Sequence, residues 1–292
     1  MSNQPIEFRK QRELGELITD TFKFLRENFK PLLKVIFKVA GPVFLILLLA
    51  IAYFSYLGMD LFENPLLVDT AEVQVELYLI SLFILLSSLI AFYVLLYGSV
   101  LHYIKSYIEN AGVVNETEVY QGVKNNFGRL LGLVLLTGII TIIGLALCIL
   151  PGIFVWVPLT IAPAVLIFRN NAVTNSISDS FNLVKDNWWV TFFSLFVITL
   201  LIYIIGMIFQ FPLIVYVFVK TLTSVQEGSV ANPGDMVDWV YVTLNVLSSL
   251  FQYLLSVVIV VAAAFIYYDL DEKKNATGSY ERIAGLGASD KQ

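Results

Sequence analysis

A twelve-residue phrase occurs twice in this chain, each time just before a long apolar stretch. The first copy, at 18–29, reads ITDTFKFLRENF, and the second, at 177–188, reads ISDSFNLVKDNW. Four of the twelve positions are identical and seven more keep their chemistry. A weaker third copy lies at 119–127, where Lys124, Asn126 and Phe127 match. A repeated polar phrase before apolar segments predicts a membrane protein built from modules.

Composition supports the same class. The 292 residues are 58% hydrophobic and only 14% charged, whereas soluble domains carry about 25% charged residues. Such a chain cannot cover a water-facing surface with ionic groups, so the sequence predicts an integral membrane protein. The single cysteine, Cys148, lies in an apolar run and excludes both a disulfide framework and a cysteine-based metal site.

Six segments are long and apolar enough to cross a bilayer, which takes about 20 residues of helix. They lie at about 35–57, 77–104, 130–150, 152–168, 189–211 and 240–268. We therefore predict an all-α, polytopic helical bundle of three hairpin repeats, at about 16–110, 116–169 and 175–268, with an N-terminal tail at 1–15 and a C-terminal tail at 269–292. Pro212 is the natural break in the fifth segment, but the sequence leaves open whether that segment continues past it to Val219. It also leaves open whether 212–239 forms an extra re-entrant or extracytoplasmic helix.

The charges orient this bundle. With that order of segments, every Lys and Arg of the 18 in the chain falls on one side, except Lys220. The segments on the opposite side are acidic and contain Asp60, Glu63, Asp235 and Asp238. Basic residues are retained on the cytoplasmic side of bacterial inner membranes. The sequence therefore predicts a multi-pass inner-membrane protein with both termini in the cytoplasm.

The repeated phrase is amphipathic. Leu17, Ile18, Phe22, Leu25 and Phe29 recur at helical spacing and form one apolar stripe. This pattern predicts an interfacial helix before each hairpin, with its apolar side toward the acyl chains. Two interpretations remain open, since these helices could pack on the bundle and bind nothing, or could recognise a lipid or a partner. The predicted anchors at the lipid headgroups are Lys34, Lys38, Arg129, Trp188 and Trp189.

The search for chemistry yields few candidates. His102 is the only histidine, and no nucleotide-binding or nucleophile motif follows a strand pattern. We therefore expect no catalytic residues, no cofactor, no metal site and no nucleic-acid partner. The possible intramembrane polar site consists of Gln210, Asn245 and Gln252. Gln210 lies beside Pro212, where its amide could satisfy a freed backbone carbonyl or form part of a transport site.

Several stretches together resemble a bacterial family. They are Leu14-Gly-Glu-Leu-Ile-Thr-Asp-Thr-Phe22, Leu150-Pro-Gly152 with Trp156 and Pro163, Ser176-Ile-Ser-Asp-Ser-Phe181 before Trp188-Trp189, and Ala264-Phe-Ile-Tyr-Tyr-Asp-Leu270. These resemble the membrane domain attached to some glycerophosphoryl diester phosphodiesterases, and its stand-alone relatives. The catalytic barrel of those enzymes is absent, so the resemblance implies a fold and an inner-membrane subunit or scaffold rather than an activity.

The leading functional hypothesis is a non-enzymatic inner-membrane scaffold or subunit that organises a partner protein or lipid. Its expected partners are membrane lipid together with a membrane protein or further copies of the chain. The alternative is a transporter or permeation unit for lipid or a small neutral solute, because transporters often contain internal repeats. The absence of ionisable residues in mid-span disfavours ion-coupled transport.

Overall fold

A computed structural model describes residues 6–63, 68–226, 237–278 and 280. The elements in these ranges are seven α-helices and one 3₁₀ turn, which confirms the all-α prediction for the described residues. The helices are α1 (Leu14–Glu63), α2 (Val68–Glu109), α3 (Glu116–Leu147), α4 (Ile149–Arg169), α5 (Val173–Val184), α6 (Trp188–Gln226) and α7 (Trp239–Asn275), and the turn Lys185–Asn187 joins α5 to α6.

Six helical stretches are long and apolar enough to cross a membrane, as expected of a multi-pass membrane protein. They are Leu14–Leu57, Val75–Glu109, Glu116–Leu147, Ile149–Arg169, Val173–Ser224 and Trp239–Asn275. Each overlaps one of the six predicted apolar segments, and five contain theirs whole, whereas the third segment, 130–150, extends past the end of α3 at Leu147 into α4. Their grouping into three hairpin repeats stays a prediction.

The repeated phrases do not all form separate helices. The copy at 18–29 belongs to the 50-residue helix α1, and the copy at 119–127 lies inside α3. Only the copy at 177–188 has a short helix of its own, α5, followed by the 3₁₀ turn. A separate prelude helix is therefore wrong for two of the three copies. In α1 the burial of Leu32 and Val35 just after Pro31 holds the helix together across the proline.

The fifth segment does not break at Pro212, because α6 runs through it from Trp188 to Gln226. Proline is tolerated in long apolar helices when neighbouring groups satisfy the freed carbonyl. Within 212–239, residues up to Gln226 continue α6, and residues 227–236 lie outside the described part of the chain.

The chain divides into two compact units that share the long helices. The first, here called the basic unit, consists of Met1–Val39, Val94–Leu200 and Val257–Gln292, and the second, the apolar unit, of Ala40–Tyr93 and Leu201–Ser256. Every Lys and Arg of the chain belongs to the basic unit except Lys220. The charge sorting seen in the sequence thus coincides with a division of the fold.

An aromatic cluster forms the core of the basic unit. Phe8, in the segment before α1, stacks on Phe265 of α7 with ring centroids 4.3 Å apart. Phe24, Tyr107 and Tyr268 surround Phe8 in edge-on contacts. The segment before α1 is therefore packed against the end of α7, and the N- and C-terminal parts of the described chain are neighbours.

Candidate functional site

Arg12 is the centre of a buried polar network in the basic unit. Its side chain is fully buried, and its Nε lies 2.9 Å from Asp20 Oδ2. Its backbone N–H donates to Asp269 Oδ1 of α7 at 2.7 Å. The guanidinium also donates to the backbone carbonyls of Glu7, Phe8 and Lys10. These bonds satisfy a charge that would otherwise be costly to bury, and they attach the N-terminal segment to α1 and α7.

Arg169, at the end of α4, makes a second network of the same kind. Its guanidinium lies 2.7 Å from Asp271 of α7 and 3.3 Å from Asp179 of α5. Asn171 donates to the same Asp179 oxygen at 2.7 Å, and Tyr267 accepts a bond from Arg169 Nε at 3.3 Å. Arg169 thus joins α4 and α5 to the end of α7.

The two networks contain corresponding residues of the repeated phrase. Asp20 and Asp179 are the identical third position of the two copies, and each pairs with an arginine that also reaches α7. Extending the third copy back by one residue places Glu118 at the same position. Glu118 accepts bonds from Ser106, Asn110 and Asn115 rather than from an arginine. The identity of the aspartate was the available signal for these networks, and sequence reasoning did not use it.

The predicted anchors Lys34 and Lys38 lie at a groove between α1, α2 and α3. Lys34 Nζ is 2.6 Å from Glu116 Oε1, and Lys38 Nζ is 3.9 Å from Glu116 Oε2. Lys38 also lies over the Tyr120 ring, 4.4 Å from its centroid. The groove has a volume of about 480 Å³. We call it the lysine groove, and its lining residues are Lys38, Val39, Leu95, Tyr120, Val123, Lys124 and Phe127.

Arg129, a predicted headgroup anchor, bonds to the polar groups that follow α4. Its guanidinium donates to Asn126 Oδ1 at 2.9 Å, to Asn170 Oδ1 at 2.8 Å and to the backbone carbonyl of Asn171. Asn170 ends α4 in the left-handed conformation, which asparagine tolerates. The side chain therefore closes the base of the α3–α4 hairpin. The structure does not test whether Arg129 also contacts lipid.

Trp188 and Trp189 line a second cleft, of about 790 Å³. The Trp188 indole N–H donates to the backbone carbonyl of Phe154 at 3.2 Å, and the two rings stack with centroids 5.5 Å apart. Trp189 is exposed. We call this the tryptophan cleft. It is lined by Leu150, Pro151, Phe154 and Val155 of α4 and by the consecutive residues 185–190.

The structure does not bring the three intramembrane amides together in one site. Asn245 donates to Ser55 Oγ at 3.1 Å, so its amide joins α7 to α1 within the apolar unit. Gln210 and Gln252 are exposed. Within the described ranges no hydrogen bond links any two of these amides.

The exceptional cation Lys220 is neutralised where it lies. Its Nζ is 2.7 Å from Asp238 Oδ2, and the Tyr216 hydroxyl donates to the same oxygen. Asp238 also caps α7, because its Oδ1 accepts the Tyr241 N–H at 2.9 Å. Burial alone would raise the pKa of Asp238, but the bonds from Lys220, Tyr216 and the Tyr241 backbone outweigh it and lower that pKa. Lys220 is thus no free charge on the acidic side.

Among the described residues, no group of three or more His, Cys, Asp and Glu side chains could hold a metal ion. His102 instead packs against the backbone of Gly122, and its Nε2 lies 3.2 Å from Asn126 Nδ2. A Cβ at position 122 would fall 2.3 Å from the His102 ring. His102 therefore fills the contact between α2 and α3.

Comparison with known proteins places the chain in a family without supplying an activity. No curated protein and no solved structure matches it. Nothing found links it to the membrane domain of glycerophosphoryl diester phosphodiesterases, so that resemblance is not supported. A protein-family model matches residues 13–227, which is most of the chain. The chain belongs to the uncharacterised protein family UPF0259.

Proposed function

We propose that this protein is a non-enzymatic subunit of the bacterial inner membrane that binds anionic phospholipid at its cytoplasmic side and organises a membrane partner there. The observation that carries this proposal is the lysine groove. Its rim is cationic and its walls are apolar, as a phospholipid headgroup with its attached acyl chain requires.

The charges of the groove favour an anionic ligand. Two lysines, Lys38 and Lys124, line it, and its lining contains no acidic residue. Glu116 is paired most closely with Lys34, at 2.6 Å, and lies 3.9 Å from Lys38. Lys124 is exposed and pairs with no side chain in the described part of the chain. Lysine is a common phosphate ligand, and each lysine near an anionic leaflet contributes about 1 kcal/mol of attraction.

The walls of the groove suit the rest of a lipid. Val39, Leu95 and Phe127 offer apolar surface beside the two lysines of the lining. A lipid could therefore place its phosphate between Lys38 and Lys124 while its acyl chain follows the apolar side. Lys38 already lies over the Tyr120 ring, so a bound phosphate would add a counter-ion to a partly ordered cation.

Native mass spectrometry of the purified protein tests the proposal. We expect the wild type to retain phosphatidylglycerol, and the double variant Lys38→Gln/Lys124→Gln to lose most of it. The matched control is Lys23→Gln/Lys30→Gln, which removes two exposed lysines of α1 outside the groove. Equal lipid retention by all three proteins would overturn the lipid-binding proposal.

The partner and the transport alternative need separate measurements. Purification from native membranes in mild detergent should recover one stoichiometric membrane protein or a defined oligomer of this chain.

The transporter alternative is tested by flux in proteoliposomes. Solute or lipid flux that disappears in Gln210→Ala or Pro212→Ala would favour a transporter instead. A transport path through α6 would need a polar break in the helix. The helix is unbroken at Pro212, and Gln210 is exposed on its surface.

A further inference from the structure

The contacts of the α3–α4 hairpin indicate a placement in the membrane that the count of apolar segments does not predict. We propose that this hairpin is embedded in the cytoplasmic leaflet and does not cross the membrane. The chain would then span the bilayer four times, through α1, α2, α6 and α7. The partner of the hairpin surface is the acyl-chain layer of that one leaflet. This inference does not depend on the lysine groove.

The two ends of the hairpin are well defined. At its base Arg129 of α3 bonds to Asn170 and to the backbone of Asn171, just after α4. At its tip the single extended residue Cys148 joins the helices. A Cβ on Gly144 would lie 3.2 Å from Gly152 Cα, so the helices touch there. The helix α4 has 21 residues, which corresponds to a length of about 31 Å.

The tip end of the hairpin lies beside charged groups. Trp188 contacts Phe154, which is only two residues after Gly152. Lys185 and Asp186, just before Trp188, line the same cleft as Leu150 and Pro151. The chain that leads into α6 therefore passes the tip with a cation and an anion.

The end of α7 contacts the base of the hairpin and the segment that leads to its tip. Asp271 binds Arg169 at the base of the hairpin, at 2.7 Å. One turn later, Lys274 donates to the Asn182 carbonyl at 2.7 Å and lies 4.0 Å from Asp186. Three residues of helix correspond to about 4.5 Å along its axis. The same short, charged stretch of α7 thus reaches the base and the segment that leads to the tip.

An upright hairpin conflicts with these contacts. Phe154 lies fifteen residues before Arg169, or about 22 Å along α4, and the hydrocarbon core is about 30 Å thick. With the hairpin upright and Arg169 at the headgroups, Trp188 and the neighbouring Asp186 would lie deep in hydrocarbon. The Lys274 ammonium, which lies 4.0 Å from Asp186, would then also lie in hydrocarbon. Charges at that depth are costly, whereas a strongly inclined hairpin keeps them all near the headgroups.

The surface of the hairpin fits this placement. Its tip exposes large apolar side chains, with Ile142, Leu147, Ile149 and Leu150 each more than two-thirds exposed. Acyl chains of the cytoplasmic leaflet would cover them. Four crossings, like six, keep both termini on one side, so the distribution of basic residues agrees with either count.

Cys148 provides the test, because it is the only cysteine in the chain, lies at the tip and is exposed. We would treat right-side-out vesicles with a membrane-impermeant maleimide. A crossing hairpin places Cys148 at the outer face and predicts its modification. An embedded hairpin predicts no modification from outside, and modification in inverted vesicles or after detergent is added.

Two further sets of variants make the result decisive. In a Cys148→Ser background, Thr223→Cys near the far end of α6 is exposed and must react from outside, which shows that the reagent reaches that face. In the same background, Ile149→Cys and Leu150→Cys sample the tip in case one thiol is shielded. Modification of any of the three tip positions from outside would overturn the inference, and reaction only from inside or in detergent supports it.

Discussion

Asp271 shows how this membrane protein keeps charged residues in a tightly packed region. Its side chain is 9% exposed and accepts bonds from Arg169, Asn275 and Thr277. The carboxylate therefore has a cation and two neutral donors, and the arrangement leaves little to solvent. A buried ion pair of this type adds little net stability over an apolar pair, but it is costly to break.

The first prediction follows from that asymmetry. Arg169→Gln should lower the unfolding free energy by about 2–3 kcal/mol, because Asp271 then stays buried without a cation. Thermal unfolding of the purified protein in detergent measures the effect. Arg26→Gln is the matched control, since Arg26 is exposed on α1 and should be neutral within about 0.5 kcal/mol. Equal melting temperatures for the two variants would contradict the structural role of Arg169.

The buried face of α1 differs from the apolar stripe that the sequence predicts to face the acyl chains. The side chains that face the basic unit are Leu17, Thr21, Phe24, Asn28 and Leu32, all buried. Two of these five are polar, so a search for apolar residues alone does not find the buried face, and the stripe that ends at the exposed Phe29 stays a prediction of the lipid-facing side. Thr21 bonds to the Leu17 carbonyl, and Asn28 accepts the Tyr103 hydroxyl. The Thr21 bond is local, whereas the Asn28 bond depends on a partner 75 residues away in sequence.

At the scale of elements, composition and hydropathy suffice for the helices but not for their boundaries. The six apolar segments and the all-α fold could be predicted because about twenty apolar residues in a row leave the backbone few other ways to satisfy its polar groups in lipid. The sequence could not decide whether α6 ends at Pro212 or continues through it, because the local preference of proline favours a break while a long apolar helix tolerates one proline. The position of α3 and α4 could not be predicted either, because it depends on their contacts with Trp188 and with α7.

The second prediction concerns the α3–α4 hairpin. A Cβ at Gly152 would lie 2.4 Å from Leu145 Cδ2 and 3.0 Å from Leu145 Cα. Gly152→Ala should therefore push the two helices apart and cost about 1–3 kcal/mol. Gly138→Ala, in α3 of the same hairpin and with nothing within 4 Å of its Cβ, should be neutral or slightly stabilising because alanine favours helix. Melting temperatures of the two variants in the same detergent provide the comparison, and equal loss in both would refute the close packing.

At the scale of the whole molecule, two independent observations bear on which side of the membrane the N- and C-terminal parts of the described chain lie. The sequence supplies one, because the distribution of its basic residues predicts that the segments containing them lie on the cytoplasmic side. The structure supplies the other, because Phe8 stacks on Phe265 and the Arg12 backbone bonds to Asp269. A segment before the first helix can touch the end of the last one only if both lie on the same side of the membrane. Lys220, the one basic residue outside those segments, is paired with Asp238 in the apolar unit.

The third prediction is the resulting orientation. Reporters inserted after Asn125 and after Asn275 should be active in the cytoplasm. A reporter at Asn232, and one at Asn64, should be active outside, although both positions lie beyond the described residues. A phosphatase that works only outside and a fluorescent protein that matures only inside give opposite signals at each site, so each serves as the control for the other.

Because four or six crossings predict the same pattern, this experiment tests the orientation of the chain independently of whether the α3–α4 hairpin crosses the membrane. A cytoplasmic signal at Asn232 would mean that α6 and α7 do not cross as a pair, and an outside signal at Asn275 would contradict the contact between the N-terminal segment and the end of α7.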